Sequence, residues 1–303
     1  MFSEKNSDKS LSLALALSAG VWGLYWVPLR AIESVGFSGP WSVVFFNACP
    51  LIVLCPLLVF NFRKMSTVFG PTLLAAIMIG MAFTLYSNGL VKTTVARATL
   101  LYYLTPVWST IIGVIWLSEP LTRARIIAIL VAFLGLFLLL SNGDASSHPL
   151  NIGDFYSLLS GIFWAIGIAT LNRWASIPIL PLAALIFLST TTASAFFAGV
   201  LHTTLLPEAS MIKAAFPLAA FWSIFIFLPC FCIIFRVSQL LFPGRVGILT
   251  MSEVVVALIS AAILIPDESM VLMQWAGAIA ILLAGLIEVW FGYHKSEEIE
   301  NSS

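Results

Sequence analysis

Charge is scarce in this sequence. Only 9% of its 303 residues are charged, and they divide evenly into 14 basic and 14 acidic. Soluble domains carry roughly 25%. A water-exposed globule of this length could not cover itself with so few charges, which excludes that class. No basic stripe stands out, which argues against a nucleic-acid partner. Histidine is nearly absent: the three are His148, His202 and His294, at predicted loops or ends. There is no HExxH, no Cys/His metal spacing and no phosphate-binding glycine loop. No catalytic residue, cofactor or metal ligand is therefore assigned. No soluble stretch is long enough for a nucleotide-binding domain. The four cysteines, Cys49, Cys55, Cys230 and Cys232, fall inside apolar runs and read as small hydrophobes rather than as ligands.

Apolar residues fill the rest. Hydrophobic types make up 60% of the chain, and mean hydropathy is +1.05. Such a chain has lipid as its solvent, and lipid restricts the backbone to helices or a closed barrel. The apolar runs are helix-length rather than short and alternating, so helices are expected. Ten segments are predicted, at about Leu11–Leu29, Trp41–Phe60, Val68–Leu90, Val95–Leu117, Arg125–Leu140, Ile152–Leu171, Ile179–Leu201, Ala214–Phe235, Val246–Ile265 and Val271–Phe291. The polar residues 1–10, with Lys5 and Lys9, precede a Leu/Ala-rich run. That run continues to Leu29 and reads as an uncleaved first helix, with a signal peptide as the alternative.

The stretch from Val95 to Leu140 has a weaker counterpart from Pro243 to Trp290. Arg97, Glu119 in Ser118-Glu119-Pro120, and Gly135 are answered by Arg245, Glu268 in Pro266-Asp267-Glu268, and Gly285, at nearly the same spacing. Trp22 followed by Arg30 is likewise answered by Trp164 followed by Arg173. Ordered markers at matched spacing point to an internal duplication. The expected fold is an all-α integral membrane protein, with ten transmembrane helices in two inverted five-helix repeats. The repeats would cover 11–140 and 152–292, joined by a linker loop at 141–151 and flanked by tails at 1–10 and 293–303. An odd number of helices per half inverts the second half, a plan common in secondary transporters. Most of the Lys and Arg (Lys5, Lys9, Arg63, Lys64, Arg123, Arg125, Arg173, Arg236, Arg245 and Lys295) fall on the side of both termini. The positive-inside rule makes that side cytoplasmic.

The run Leu101-Tyr102-Tyr103-Leu104-Thr105-Pro106-Val107-Trp108-Ser109, then Glu119 and Gly135, resembles the drug/metabolite transporter superfamily, EamA-type branch. The resemblance covers about Leu11–Phe291. It departs at Ser252-Glu253-Val254-Val255, where the Glu is kept and a Pro usual in the family is lost. It implies export of small metabolites from the cytoplasm, through a central cavity lined by helices one, three, four, six, eight and nine. It also implies a bacterial inner membrane. It does not fix a substrate.

Glu253 is the residue most expected to carry chemistry. The predicted ninth helix places it about 10 Å from the cytoplasmic end. A charge at such depth costs at least ~2.5 kcal/mol, so it should face a cavity or a partner. It could exchange a proton or cation with substrate, or hold a neighbouring helix as a protonated structural group. Its first-half counterpart is Thr105, beside Pro106. Pro106 is expected to kink the fourth helix, as a hinge or as a static bend. Trp22 and Trp164 are expected to line the cavity, with Tyr25, Tyr86, Asn88 and Tyr102 as further candidates. Polar-tipped aromatics suit an amphipathic or aromatic ligand, although membrane helices place such residues at their interfaces anyway. Trp41, Trp275 and Trp290 read as interface anchors. Arg97 is expected to reach headgroups or to attract a substrate carboxylate. Glu119 and Glu268 read as turn-formers, and Gly135 and Gly285 as packing positions.

The expected activity is secondary transport by alternating access. The substrate would be a small organic metabolite, with amino acids or aromatic compounds favoured. The alternatives are a multidrug or organic-cation exporter, a membrane enzyme acting on a lipid or lipid-linked substrate, and a structural or regulatory subunit. The expected partners are the substrate and membrane lipids, and the expected state is a monomer or weak homodimer.

Overall fold

The computed structural model describes residues 2–116, 122–141, 150–174, 176–238, 249–265 and 270–291, with isolated positions 240 and 246. Arg245, Glu119, Glu268, most of the linker and the C-terminal tail lie outside them, as do the side chains of Pro106 and Trp290. Helix is the only regular structure among the described residues, as lipid requires of a backbone that must satisfy its own polar groups. The elements are α1 (Phe2–Trp22), α2 (Trp26–Ser34), α3 (Gly39–Ala48), α4 (Leu51–Met65), α5 (Phe69–Leu90), α6 (Val95–Tyr102), α7 (Thr105–Trp116) and α8 (Arg123–Ser141). They are followed by α9 (Ile152–Arg173), α10 (Ile179–Phe196), α11 (Ala209–Ala220), α12 (Leu228–Ser238), α13 (Ser252–Leu264) and α14 (Leu272–Phe291).

Among the described residues, six helical stretches are long and apolar enough to cross a membrane: Ser10–Ser34, Phe69–Leu90, Val95–Trp116, Ile152–Leu171, Ile179–Leu201 and Ala209–Ser238. A seventh counts if α3 and the first part of α4, which meet at 42°, form one bent span. The chain is thus a multi-pass membrane protein. Large apolar side chains such as Leu17, Phe60, Ile115, Phe137 and Phe225 point outward, where lipid accepts them.

Several segments expected as continuous helices are broken, and proline explains three of the breaks. A proline leaves the carbonyl four residues before it without its helical donor and crowds it. Pro28 does this to Leu24, and α1 gives way to α2 through a turn at Gly23–Tyr25. Tighter three-residue bonds bridge that turn, including Tyr25 N–H to the Trp22 carbonyl at 2.9 Å and Val27 N–H to the Leu24 carbonyl at 3.0 Å. Pro50 sits in the turn between α3 and α4. Pro106 stands one residue after the turn Tyr103–Leu104 that separates α6 from α7. Within the span Val95–Trp116 the expected kink is a break of the helix: Pro106 occupies the first turn of α7, just after that break. The eighth segment contains a π-helical stretch, Phe221–Phe227, between α11 and α12.

The ninth segment also departs from expectation. Residues 249–250 are helical, Met251 is a turn, and α13 starts at Ser252. Glu253 therefore lies in the first turn of α13, beside a break, rather than some seven residues inside a continuous helix.

Small residues bring the spans together. In α8, a Cβ at Gly135 would lie 2.8 Å from the Gly277 carbonyl of α14, so the two helices touch backbone to backbone as expected of that glycine. Gly285 is buried nearby. Between α5 and α10, the Thr84 hydroxyl donates to the Thr190 carbonyl at 3.3 Å and the Thr190 hydroxyl to the Gly80 carbonyl at 3.3 Å. The main core is aromatic, with Trp22, Tyr25, Phe46, Phe187, Phe227 and Phe231 all buried.

Candidate functional site

The breaks meet. Gly23, in the α1–α2 turn, lies against the start of α13: a Cβ there would strike the Glu253 carbonyl and come within 2.9 Å of the Ala257 nitrogen. Two side-chain bonds fix this arrangement. The Ser252 hydroxyl donates to the Ala16 carbonyl of α1 at 2.7 Å, and Trp26 Nε1–H of α2 donates to Ser260 Oγ at 3.1 Å. From the other side, the α6–α7 turn presents Tyr103. Its hydroxyl lies 3.0 Å from Glu253 Oε2 and 3.0 Å from the Thr250 carbonyl. Glu253 is half-buried, and among the described residues it has no ion-pair partner.

The α6–α7 turn satisfies itself. The Thr105 hydroxyl donates to the Tyr102 carbonyl at 2.6 Å, the acceptor that Pro106 deprives of an amide. The Val107 N–H reaches the Leu104 carbonyl at 2.9 Å. Beside this turn, a small cavity with room for about one water is lined by Tyr103, Val107, Thr110, Ala132, Ile281 and Gly285.

The aromatic candidates form one continuous cluster. Trp22 stacks on Phe83 at 5.3 Å with the planes 3° apart, meets Phe227 edge-on at 5.1 Å, and lies 5.2 Å from Tyr25. Tyr25 shares its hydroxyl with Ser87 Oγ at 2.9 Å and accepts from Asn47 Nδ2 at 3.0 Å. Tyr86 bonds Thr99 Oγ1 at 3.2 Å and packs on Tyr102 at 4.8 Å. Trp164, half-buried, contacts Tyr102 at 6.1 Å and Phe83 at 5.7 Å. Tyr102 in turn meets Tyr103 edge-on at 5.3 Å. The rings of Trp22, Tyr25, Phe83, Phe227 and Phe231 pack against one another in this conformation.

Of the expected cavity residues, two carry a buried polar atom without a hydrogen-bond partner among the described residues: the Trp22 Nε1–H donor and the Asn88 Oδ1 acceptor. The Asn88 amide itself donates to the Thr84 carbonyl at 2.8 Å. An unpaired buried donor or acceptor costs about 1–3 kcal/mol, so each is available to a ligand or a water.

Arg97 requires a correction. It is buried, not extended to headgroups: its guanidinium pairs with Asp154 at 3.2 Å. Asp154 also accepts from the Thr93 hydroxyl at 2.7 Å and from the Asn151 backbone N–H at 3.0 Å. Asn151 and Asp154 form a capping box at the start of α9, which brings the acid to the helix end where the dipole favours it. This pair ties α6 to α9. Arg30, nearby in the chain fold, donates to the Leu90 and Thr93 carbonyls at 3.1 and 3.4 Å. Trp41, expected as an interface anchor, donates its Nε1–H to the Thr204 carbonyl at 3.3 Å.

Sequence reasoning thus missed Tyr103 and Asp154 as polar partners. The Asn-x-x-Asp spacing at 151–154 was a capping signal open to reading. Tyr103 stands in the run that carries the family resemblance, but nothing in the sequence marked it rather than Tyr102 as the partner of Glu253.

Residues 10–141 match the EamA-like transporter family, consistent with the drug/metabolite transporter superfamily. A solved structure described only as "Crystal structure of protein" superposes with a TM-score of 0.58, covering 92% of this chain and 96% of its own, at 15% identity. At that identity the likeness is one of fold alone. No curated protein matches the sequence.

Proposed function

From a chain whose residues 10–141 carry an EamA-like transporter segment, we propose a secondary transporter that exports a small organic metabolite by alternating access, with Glu253 as its proton- or cation-coupling site. The observation that carries this reading is the position of Glu253. A lone carboxyl stands where the α1–α2 turn, the α6–α7 turn and the start of α13 converge. Irregular backbone inside a membrane protein is tolerated where it is buried in protein or lines a cavity, and transporters place their sites at such breaks.

The reading includes ten spans in two inverted halves, residues 11–140 and 152–292, with both termini cytoplasmic in a cell inner membrane. Three shorter apolar helices, Ile126–Leu138, Ser252–Leu264 and Leu272–Ile287, support that number when added to the six long helices and the bent pair. A reciprocal contact supports the inversion. Gly23, from the first span of one half, abuts α13 of the other; Gly161, from α9, abuts the Tyr102 carbonyl of the first half, where a Cβ would lie 2.9 Å away. The uneven distribution of Lys and Arg supports the orientation.

Trp22, Tyr25, Tyr86, Asn88, Tyr102 and Trp164 would form the substrate site, closed in this conformation by their mutual packing. Pro106, with the Tyr103–Leu104 turn before it, would be where the fourth span bends. Aromatic walls with a free indole N–H and a free amide oxygen suit an amino acid or aromatic metabolite. A lone carboxyl also suits an organic cation.

Thermal stabilisation of the purified protein in detergent tests the substrate class, using a panel of amino acids, nucleobases, sugar phosphates and organic cations. A ligand at 100 times its Kd adds about 2.7 kcal/mol to the folded state. An aromatic amino acid should raise the melting temperature, and Trp22→Ala should abolish the rise. If organic cations alone act, and only with Glu253 present, the protein exports cations and the aromatic-metabolite reading is wrong.

A further inference from the structure

The structure leaves one hydroxyl with two acceptors. Tyr103 Oη lies 3.0 Å from Glu253 Oε2 and 3.0 Å from the Thr250 carbonyl oxygen. A tyrosine has a single O–H to donate, so the two bonds cannot both be Tyr103 donations at once. Which of them is made depends on what Glu253 offers. An ionised carboxylate has no proton and can only accept. A protonated carboxyl can donate to the tyrosine oxygen.

We propose that Tyr103 is a positioning residue that reports whether Glu253 holds a proton, by exchanging its hydrogen-bond acceptor between the Glu253 carboxylate and the Thr250 carbonyl. With Glu253 ionised, Tyr103 donates to Oε2. When a proton arrives it binds the carboxyl, which then donates to Tyr103 Oη, and the Tyr103 O–H turns to the Thr250 carbonyl. The proton taken up stays on Glu253, and Tyr103 keeps its own throughout. The inference deepens the proposed role of Glu253 and rests on it.

Placement gives the exchange a consequence. Thr250 and Glu253 flank the Met251 turn that precedes α13, and Tyr103 belongs to the turn between α6 and α7. Protonation therefore keeps the tie at Glu253, with its donor reversed, and adds a second tie between the two broken spans at Thr250, on the other side of the Met251 turn. The surroundings hold Tyr103 in reach of both acceptors. Its ring packs edge-on against Tyr102 and joins the apolar cluster of Ala96, Leu100, Val254 and Leu258. The titratable side chains that interact with Glu253 among the described residues are Tyr103 itself and, behind it, Tyr86 on α5 and Tyr102 on α6. All are neutral donors or acceptors, so no described cation competes for the carboxylate.

Infrared difference spectroscopy of the full chain in lipid, stepped in pH, tests this with the proton itself as probe. The carboxyl C=O band lost in Glu253→Gln reports the acid, and the tyrosine ring and C–O bands lost in Tyr103→Phe report the hydroxyl. The expected result is that both change together with one midpoint in the unmodified protein, and that the tyrosine change disappears in Glu253→Gln. A carboxyl band that titrates while the tyrosine bands stay still would overturn the inference and leave Glu253 as a proton site. A carboxyl band that does not titrate at all would overturn the role of Glu253, and the inference with it. Where Glu253→Gln fails to fold, Glu253→Asp, which moves the carboxyl band instead of removing it, makes the assignment, and the tyrosine change should move to the new midpoint.

Discussion

At Gly23 the backbone of the α1–α2 turn meets the backbone of α13. A methyl group there would strike the Glu253 carbonyl and crowd the Ala257 nitrogen and Val256 Cβ, and backbone atoms cannot step aside as a flexible side chain can. Gly23→Ala should therefore destabilise by roughly 1–3 kcal/mol. Gly70, at the start of α5, is the control. An added Cβ there meets nothing within 4 Å, so Gly70→Ala should be neutral or stabilise by up to about 1 kcal/mol. Melting temperatures of the two purified variants check both; equal effects would refute the close approach. Glu253 itself could be picked out from the sequence, because a lone acid inside an apolar run has few innocent explanations. Its partner could not. A tyrosine among apolar residues looks the same whether it anchors at an interface or holds a carboxylate. The pairing of Arg97 is hidden for a related reason: at a helix start it has the position of a snorkelling residue, and only the fold brings Asp154 to it.

The elements show where hydropathy stops being informative. A break of two or three residues leaves a segment's composition unchanged, so α1–α2 and α6–α7 each read as one run. The prolines were visible, but which carbonyl each displaces, and what rescues it, is a matter of tertiary detail. Thr105 and Pro106 make this testable. Thr105→Val removes the hydroxyl that bonds the Tyr102 carbonyl at 2.6 Å and should cost about 1–3 kcal/mol. The same change in a Pro106→Ala background should cost less, because the new amide can take that carbonyl. A double-mutant cycle in denaturation reads the difference, and strict additivity would contradict the account. The α6–α9 tie predicts a second coupling. Asp154→Ala leaves the Arg97 charge buried and should cost about 3–5 kcal/mol, whereas replacing both partners by apolar residues, Arg97→Met with Asp154→Leu, should recover much of it. If the double variant melts no higher than Asp154→Ala, the ion pair is not what joins these helices.

For the molecule as a whole, apolar composition made the helical, multi-pass character legible at once, and the motif around Tyr103–Val107 with Glu119 and Gly135 pointed to the family whose model matches residues 10–141. Substrate was not legible, because it depends on which rings close on which atoms. The central claim is that Glu253 couples transport to an ion gradient. The most direct test takes a ligand that stabilises the protein and follows it into proteoliposomes. Two assays run side by side: exchange at equal pH, and accumulation driven by an imposed pH gradient. The account predicts that the unmodified protein does both, and that Glu253→Gln, folded and inserted to the same extent, still exchanges the ligand but no longer concentrates it. A Glu253→Gln protein that concentrates the ligand as well as the unmodified one would contradict it.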